Sequence, residues 1–164
     1  MPKNIPAFVL AAVWLAAAPA GLCAYGAASA AAEKAPSLEK MLTFALEDEY
    51  LARAEYRVIM GKFGAARPFS NIIKAEERHI KWLLPLFKKY GFKAPADKAG
   101  ALAKAPLSMK EALEAGVKAE EENIAMYAAF LGKELPADVR DVFERLKGAS
   151  ENHLAAFKRN LSRY

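Results

Sequence analysis

The sequence predicts an all-α domain, an antiparallel four-helix bundle with one long crossover between its second and third helices. Apolar residues recur at intervals of three and four residues through four long segments, which is the pattern of helices that bury one face. Glycines and prolines separate these segments by a short, a long and a short connection, the connectivity of a bundle with a single crossover. Neither the alternating pattern of a strand nor a glycine-rich phosphate loop interrupts them.

The first 32 residues are predicted to be a secretory signal peptide. Lys3 is the only charged residue among them, residues 5–20 form an apolar run, and Ala28-Ser29-Ala30 offers a small-residue cleavage site. The run is short for a helix that spans a membrane, which needs about 20 apolar residues. We expect cleavage after Ala30 or Ala32 and an exported, periplasmic protein that is not inserted in the membrane. An uncleaved N-terminal anchor is the alternative.

The first predicted helix opens the folded domain, which is expected to occupy residues 33–164. Ser37 is placed to cap this helix, with Glu39 in its first turn, and Gly61 and Gly64 end it. Its inward-facing residues are predicted to be Leu38, Leu42, Ala45, Ala52, Tyr56, Ile59 and Phe63. Their spacing follows the three-and-four rule except for one gap between Ala45 and Ala52.

The second helix is predicted to run from Pro68, a residue that suits a first turn, to Gly91, which ends it. Pro85 lies inside this helix and should kink it, since proline donates no backbone hydrogen bond. The inward-facing residues are Phe69, Ile72, Leu83, Leu86 and Tyr90. Residues 92–107 contain two prolines and a glycine and are predicted to form the long connection.

The third helix begins at a capping box formed by Ser108 and Glu111 and ends before Gly132. Pro136 opens the fourth helix. The inward-facing residues of the third helix are Met109, Leu113, Val117, Ile124, Tyr127 and Leu131. Those of the fourth helix are Val139, Phe143, Leu146, Phe157 and Leu161. The four predicted helices are therefore similar in length.

Polar residues interrupt all four apolar stripes near their midpoints. In chain order they are Glu49, Glu76 with His79, Glu120, and Ser150 with His153. Antiparallel helices of equal length bring their midpoints to one level, so these side chains are expected to meet in one layer of the core. Buried carboxylates repel one another and are costly to desolvate, and a bound cation would compensate them. The spacing of Glu76 and His79 puts both on one helix face, where they can ligate metal.

The polar layer also repeats along the chain. Tyr56 follows Glu49 by seven residues, and Tyr127 follows Glu120 by seven. The sequence Ala-Glu-Glu-Arg-His of the second helix parallels Ala-Ser-Glu-Asn-His of the fourth. This repeat predicts two helical hairpins, each with a glutamate helix and a histidine helix, that place two metal-binding halves face to face. The two tyrosines are expected to pack beside the site or to donate hydrogen bonds to it.

These motifs resemble those of the ferritin-like superfamily. Glu49, Ala52 and Tyr56 resemble the first-helix pattern Glu-x-x-Ala-x-x-x-Tyr of rubrerythrin-type di-iron carboxylate proteins. Glu76-x-x-His79 resembles their second-helix motif, and Met126-Tyr127 resembles their third helix. With the fourth helix included, the chain is more similar still to a bacterial ferritin-like family defined as a domain of unknown function. The similarity extends over roughly residues 37–160.

The resemblance implies a four-helix fold with a carboxylate-bridged metal site in its core. The implied ions are one or two of iron or manganese, with zinc as a substitute, held by Glu49, Glu76, His79, Glu120 and His153. The chain departs from the di-iron pattern at one position. Ser150 stands where a second Glu-x-x-His motif would supply a bridging glutamate, so two-iron chemistry is not secured.

Each candidate ligand also has a structural alternative. Glu76 and His79 could form a salt-bridged pair on the surface. Glu49 and Glu120 lie in runs of acidic residues that could be solvated, and Glu121 competes with Glu120 for the inward face. His153 could be a hydrogen-bonded core histidine. Three functions stay open: an oxidoreductase acting on oxygen or peroxide, a metal-binding protein without turnover, and a metal-free bundle that binds partners or lipids. No catalytic residue is assigned.

The composition limits the classes of binding partner that this protein is expected to have. Its 24 basic and 19 acidic residues give a net charge of +5 and are interspersed, whereas nucleic-acid-binding proteins usually carry a clustered basic face. The single cysteine excludes an intramolecular disulfide and a cysteine-based zinc finger. Nucleic acid is therefore not an expected partner. Metal ions are expected because of the polar layer, and a homodimer is a further alternative.

Overall fold

The computed structural model describes residues 25–164, so most of the predicted leader lies outside the described residues. This part of the chain contains five α-helices, one 3-10 helix and no strand, which confirms the all-α prediction. The α-helices are α1 (Ala27–Ala32), α2 (Leu38–Phe63), α3 (Phe69–Tyr90), α4 (Met109–Leu131) and α5 (Ala137–Leu161). Among the helices of residues 25–164, none is long and apolar enough to cross a membrane.

The ends of the long helices follow the local chemistry of the sequence. The hydroxyl of Ser37 accepts a hydrogen bond from the backbone N–H of Lys40, and that of Ser108 accepts one from Glu111. The carboxylate of Glu111 accepts from the N–H of Leu107, one residue earlier than a capping box requires. Gly91 ends α3 in the left-handed conformation, with φ of 71°. The helix α3 continues through Pro85 to its predicted end.

The long helices pack as two pairs. Helix α2 lies along α3, and α4 lies along α5. The two pairs meet through smaller contacts of α3 with α5 and of α2 with α4. The short helix α1 rests on both α2 and α4, and the 3-10 helix Ala99–Ala101 of the long connection packs on α2.

The core consists of two apolar clusters. The larger cluster includes Leu42, Leu46, Leu83, Tyr127, Phe130, Phe143 and Leu146. The smaller cluster includes Tyr56, Ile59, Phe69, Ile72, Leu113 and Phe157. Along α3, α4 and α5 the interrupting polar residues fall between members of the two clusters, and along α2 Glu49 lies beside Tyr50, the last buried member of the larger cluster on that helix. The polar layer therefore has apolar packing on both sides, which holds its side chains in place.

Helix α4 presents a slightly different face to the core than its apolar stripe predicts. Val117 and Ile124 are only half-buried, whereas Gly116 and Asn123 are buried. The reason is close packing at Gly116, where a Cβ atom would lie 2.7 Å from a ring carbon of Phe157. Because glycine lacks that atom, the ring occupies the space and the helix turns its glycine face inward.

Candidate metal centre

The five predicted ligand-type residues meet in the polar layer. They are Glu49 of α2, Glu76 and His79 of α3, Glu120 of α4 and His153 of α5. The three glutamates and His79 are at most 3% exposed, and the His153 side chain is 12% exposed. The competing residue Glu121 instead points outward and pairs with Lys158 on the surface. The register of the apolar stripes thus selects the inward acid correctly in each acidic run.

One half of the centre is built by α2 and α3. The Nδ1 atom of His79 lies 3.1 Å from Oε2 of Glu49 and 2.9 Å from Oε2 of Glu76. Each of these three residues offers a ligand atom within 4.8 Å of the others, and all three are buried. A metal ion could therefore be held by two carboxylates and one imidazole in this half.

The other half is built from α3, α4 and α5. The Nδ1 atom of His153 lies 3.2 Å from Oε1 of Glu76 and 3.3 Å from Oε1 of Glu120. Glu76 therefore offers one carboxylate oxygen to each half and joins them. The two imidazole rings stack with their centroids 5.8 Å apart. The halves are similar in composition, as the internal repeat predicts.

Two tyrosines support the centre in a reciprocal arrangement. Tyr127 of α4 donates a hydrogen bond to Oε1 of Glu49 on α2, over 3.0 Å. Tyr56 of α2 donates one to Oε1 of Glu120 on α4, over 3.2 Å. Each helix thus orients the glutamate of the other helix, and both hydroxyls are buried. Donors of this kind fix a carboxylate in one rotamer and leave its second oxygen available for another contact.

Burial and the neighbouring charges move the pKa values of the centre. Burial and the nearby Glu76 raise the pKa of Glu49, and burial raises that of Glu120. Burial also opposes the charge of Glu76, but hydrogen bonds from His153 and His79 outweigh it and hold its pKa well below the usual range. Burial disfavours the charged imidazoles as well, yet their carboxylate contacts raise the pKa of His79 to about 10 and of His153 to about 9.

The geometry fits a metal ion. Two ligand atoms that are each about 2.1 Å from an ion lie about 3.0 Å apart at a right angle and about 3.4 Å apart at a tetrahedral angle. The nitrogen-to-oxygen distances in the two halves range from 2.9 to 3.3 Å. Such distances also suit hydrogen bonds from a protonated imidazole, so protons and metal ions compete for the same nitrogen atoms.

Two buried polar atoms beside the centre have no hydrogen-bond partner within residues 25–164. They are Oε2 of Glu120 and Oδ1 of Asn123. A buried polar atom without a partner costs free energy, and a carboxylate oxygen is satisfied equally well by a cation. Oε2 of Glu120 is therefore free to contact a cation. Asn123 escaped the sequence analysis, although it lies three residues after Glu120 and thus close to it on the helix.

Asp48 is a second residue that sequence reasoning missed. It precedes Glu49 and belongs to an acidic run, so periodicity alone assigns it to a solvated surface. Burial, together with the charges of Glu120 and Glu76, raises its pKa to about 7. Its carboxylate accepts a hydrogen bond from the backbone N–H of Ala27. Asp48 therefore lies near the centre but is bonded to the short helix α1.

The fold and the centre together define an all-helical protein with a buried carboxylate–histidine cluster. Residues 39–164 match the family described as "Uncharacterized protein domain (DUF2202)", and the chain belongs to this family. This agrees with the sequence-based resemblance to a family of unknown function.

Two relatives extend the comparison. The uncharacterized protein MJ0754 of Methanocaldococcus jannaschii is 29% identical over 133 residues, which cover 72% of this chain and 71% of that protein. Its crystal structure, titled as that of a hypothetical protein, superposes with a TM-score of 0.70 at 26% identity, over 80% of this chain and 85% of that one. The conserved hypothetical protein rv2844 of Mycobacterium tuberculosis has a TM-score of 0.67 at 19% identity, over 76% of this chain and 89% of that one, and shows a similar fold.

Proposed function

We propose that this protein is an exported, ferritin-like metal-binding protein that holds one or two divalent ions of iron or manganese type in its core. Zinc is expected to substitute for them. The observation that carries the proposal is the pair of buried carboxylate–histidine groups that share Glu76. Mixed carboxylate and imidazole ligands suit iron and manganese, and they also accept zinc. Export is supported by the leader-like composition of residues 1–32.

The proposed architecture is an antiparallel four-helix bundle made of α2, α3, α4 and α5. The pairing of α2 with α3 and of α4 with α5 supports it, as does the long connection between the two pairs. Ferritin-like proteins build their metal sites from glutamates and Glu-x-x-His motifs that project inward from four helices. Four helices of this chain contribute ligand-type side chains to one layer in the same way.

Charge balance favours one firmly held ion. Three carboxylates carry three negative charges, and one divalent ion in one half together with a protonated imidazole in the other half carries three positive charges. The buried centre is then neutral, which avoids the large cost of an unbalanced internal charge. Two divalent ions with two neutral imidazoles would leave one excess positive charge, so the second ion requires an additional anion. We expect the second ion to bind more weakly than the first.

An oxidoreductase acting on oxygen or peroxide is the catalytic form of this proposal. Each ion would have three protein ligands, which leaves positions open in a coordination shell of four to six. A metal ion bound there would supply redox or Lewis-acid chemistry. The chain's own residues would orient the carboxylates through Tyr56 and Tyr127 and limit the access of water through apolar packing.

Metal sequestration without turnover is the second candidate. It is favoured by Ser150, which is buried at the position where a further carboxylate would be expected to bridge two ions. A centre with a single bridging carboxylate constrains the distance between two ions less than a doubly bridged one.

Metal analysis of the protein isolated from its native compartment tests the proposal. We expect iron or manganese at between one and two ions per chain. Protein isolated without bound metal, and not stabilised by any of iron(II), manganese(II) or zinc(II), would contradict it. Consumption of peroxide or oxygen by the loaded wild-type protein would favour the oxidoreductase. Consumption only after Ser150→Glu would favour sequestration.

A further inference from the structure

The short helix α1 is joined to α2 by two hydrogen bonds at its N-terminal end. The backbone N–H of Ala27 donates to Oδ1 of Asp48 over 2.9 Å, and that of Gly26 donates to Oε2 of Glu47 over 3.3 Å. The side chain of Ala27 is 8% exposed and belongs to the larger core cluster. Residues 25–32 are therefore packed as part of the domain.

The fit of this segment depends on Gly26. Its φ is 59°, a conformation that residues with a side chain rarely adopt, and a Cβ atom there would lie 2.8 Å from the Cα atom of Asp48. The backbone thus approaches α2 more closely than any other residue would allow. On its other side the segment faces α4, where Tyr25 and Ala30 pack against the larger core cluster and Ala27 lines a cavity with Met126.

This contact lies beside the carboxylate–histidine cluster. Asp48 immediately precedes Glu49, and the charges of Glu120 and Glu76 act on its carboxylate. A depression of about 210 Å³ lies next to α1, and Asp48 and Glu55 of α2 are among its lining residues. Helix α1 therefore covers part of the groove between α2 and α4 at the level of the cluster.

We propose that residues 25–32 are retained in the mature protein, where α1 covers the groove between α2 and α4 beside the carboxylate–histidine cluster. Cleavage after Ala30 or Ala32, which the sequence predicts, would remove the donor to the half-buried Asp48 carboxylate and uncover the apolar surface beneath Ala27. Processing before Tyr25 would keep both contacts. The proposal rests on packing and does not depend on whether the cluster binds metal.

The N-terminus of the native protein tests the proposal directly. Intact-mass spectrometry of the protein from its native compartment is expected to find a first residue at Tyr25 or earlier. A native chain that begins between Ala31 and Glu33 would overturn the proposal.

Hydrogen exchange of the full chain tests the packing itself. Gly26→Ala is expected to speed exchange of the amides of residues 25–32 at least tenfold, because the added Cβ atom displaces the segment from α2. Gly148→Ala is the matched control, since a Cβ atom there meets nothing within 4 Å, and it should leave the exchange unchanged. If the wild-type segment already exchanges as fast as the Gly26→Ala segment, α1 is not a stable cover. Hydrogen exchange of the wild type and of both variants is measured in chelator, so the result is separate from the test of metal binding.

Discussion

We predict that divalent metal stabilises this protein and that replacing Glu76 by glutamine abolishes the effect. Glu76 is 3% exposed and offers one oxygen to each histidine, so the substitution weakens both halves of the centre while it keeps the side-chain volume. A ligand that binds only the folded state at one hundred times its dissociation constant adds about 2.7 kcal/mol to the free energy of unfolding. In a domain of this size 1 kcal/mol raises Tm by about 3 °C, so the wild-type Tm should rise by about 8 °C.

The apoprotein responds to Glu76→Gln through two opposing effects. Removing one partner of a buried ion pair costs about 3–5 kcal/mol, and here two imidazoles lose their shared carboxylate. Repulsion between Glu76 and Glu49 is relieved at the same time, which offsets part of that cost. The metal-dependent change in Tm is therefore the decisive quantity, and the absolute stability of the variant is not.

The assay is thermal unfolding followed by circular dichroism, in chelator and with excess iron(II), manganese(II) or zinc(II). Glu77→Gln is the matched control, because Glu77 is the next residue, its side chain is 45% exposed, and it pairs with Arg57 at the surface. Its Tm should change little, since surface ion pairs contribute about 0–1 kcal/mol, and its metal-dependent rise should be complete. A wild-type Tm that no metal changes, or a full rise retained by Glu76→Gln, would refute the assignment of the centre.

Metal binding at neutral pH should release protons, because the pKa values of His79 and His153 are raised to about 10 and 9 and a ligating imidazole must lose its proton. Calorimetry in buffers of different ionisation enthalpy measures this release, and an identical heat in all buffers would contradict it. In chelator the same two groups stabilise the fold most below about pH 6.5, and urea denaturation should show this contribution falling as the pH rises through 9 to 10. Gly116→Ala should cost about 1–3 kcal/mol in urea denaturation because its Cβ atom would meet the Phe157 ring, whereas Gly148→Ala should be neutral or stabilising by up to about 1 kcal/mol. A Gly116→Ala variant as stable as the wild type would mean that the close packing is wrong.

The long helices could be predicted from the sequence because their ends are set by local interactions. Ser37 and Ser108 accept hydrogen bonds from the first turns that follow them, and Gly91 takes the left-handed conformation that ends α3. These interactions depend on residues within four positions of each other, so they can be identified without knowledge of the tertiary structure. The inward register of the ligand residues follows for the same reason, since periodicity fixes which side chains share a face.

Other features depend on contacts between helices and could not be predicted. Helix α1 has the composition of a leader, and its packing against α2 and α4 is a tertiary contact that composition does not reveal. The close approach of Phe157 to Gly116 turns α4 away from its predicted stripe. The repeat placed each tyrosine seven residues after a glutamate of its own helix, but each tyrosine bonds to the glutamate of the other helix, which requires the two helices to be docked.

The departure from symmetry at Ser150 determines how the two halves should differ. Glu76 belongs to both halves, and each half accepts one tyrosine hydrogen bond, from Tyr127 or from Tyr56. Of the two halves, the one formed by Glu49, Glu76 and His79 has all of its ligand side chains buried. In the other half the His153 side chain is 12% exposed, and the free oxygen of Glu120 has no partner in the described chain. A buried, well-surrounded set of ligands holds an ion more firmly than a partly exposed one. We therefore expect the first ion to bind in the half that contains His79, and an ion in the half that contains His153 to exchange more readily.

Ser150→Glu would add a fourth carboxylate, balance the charge of two divalent ions and make the two halves equivalent.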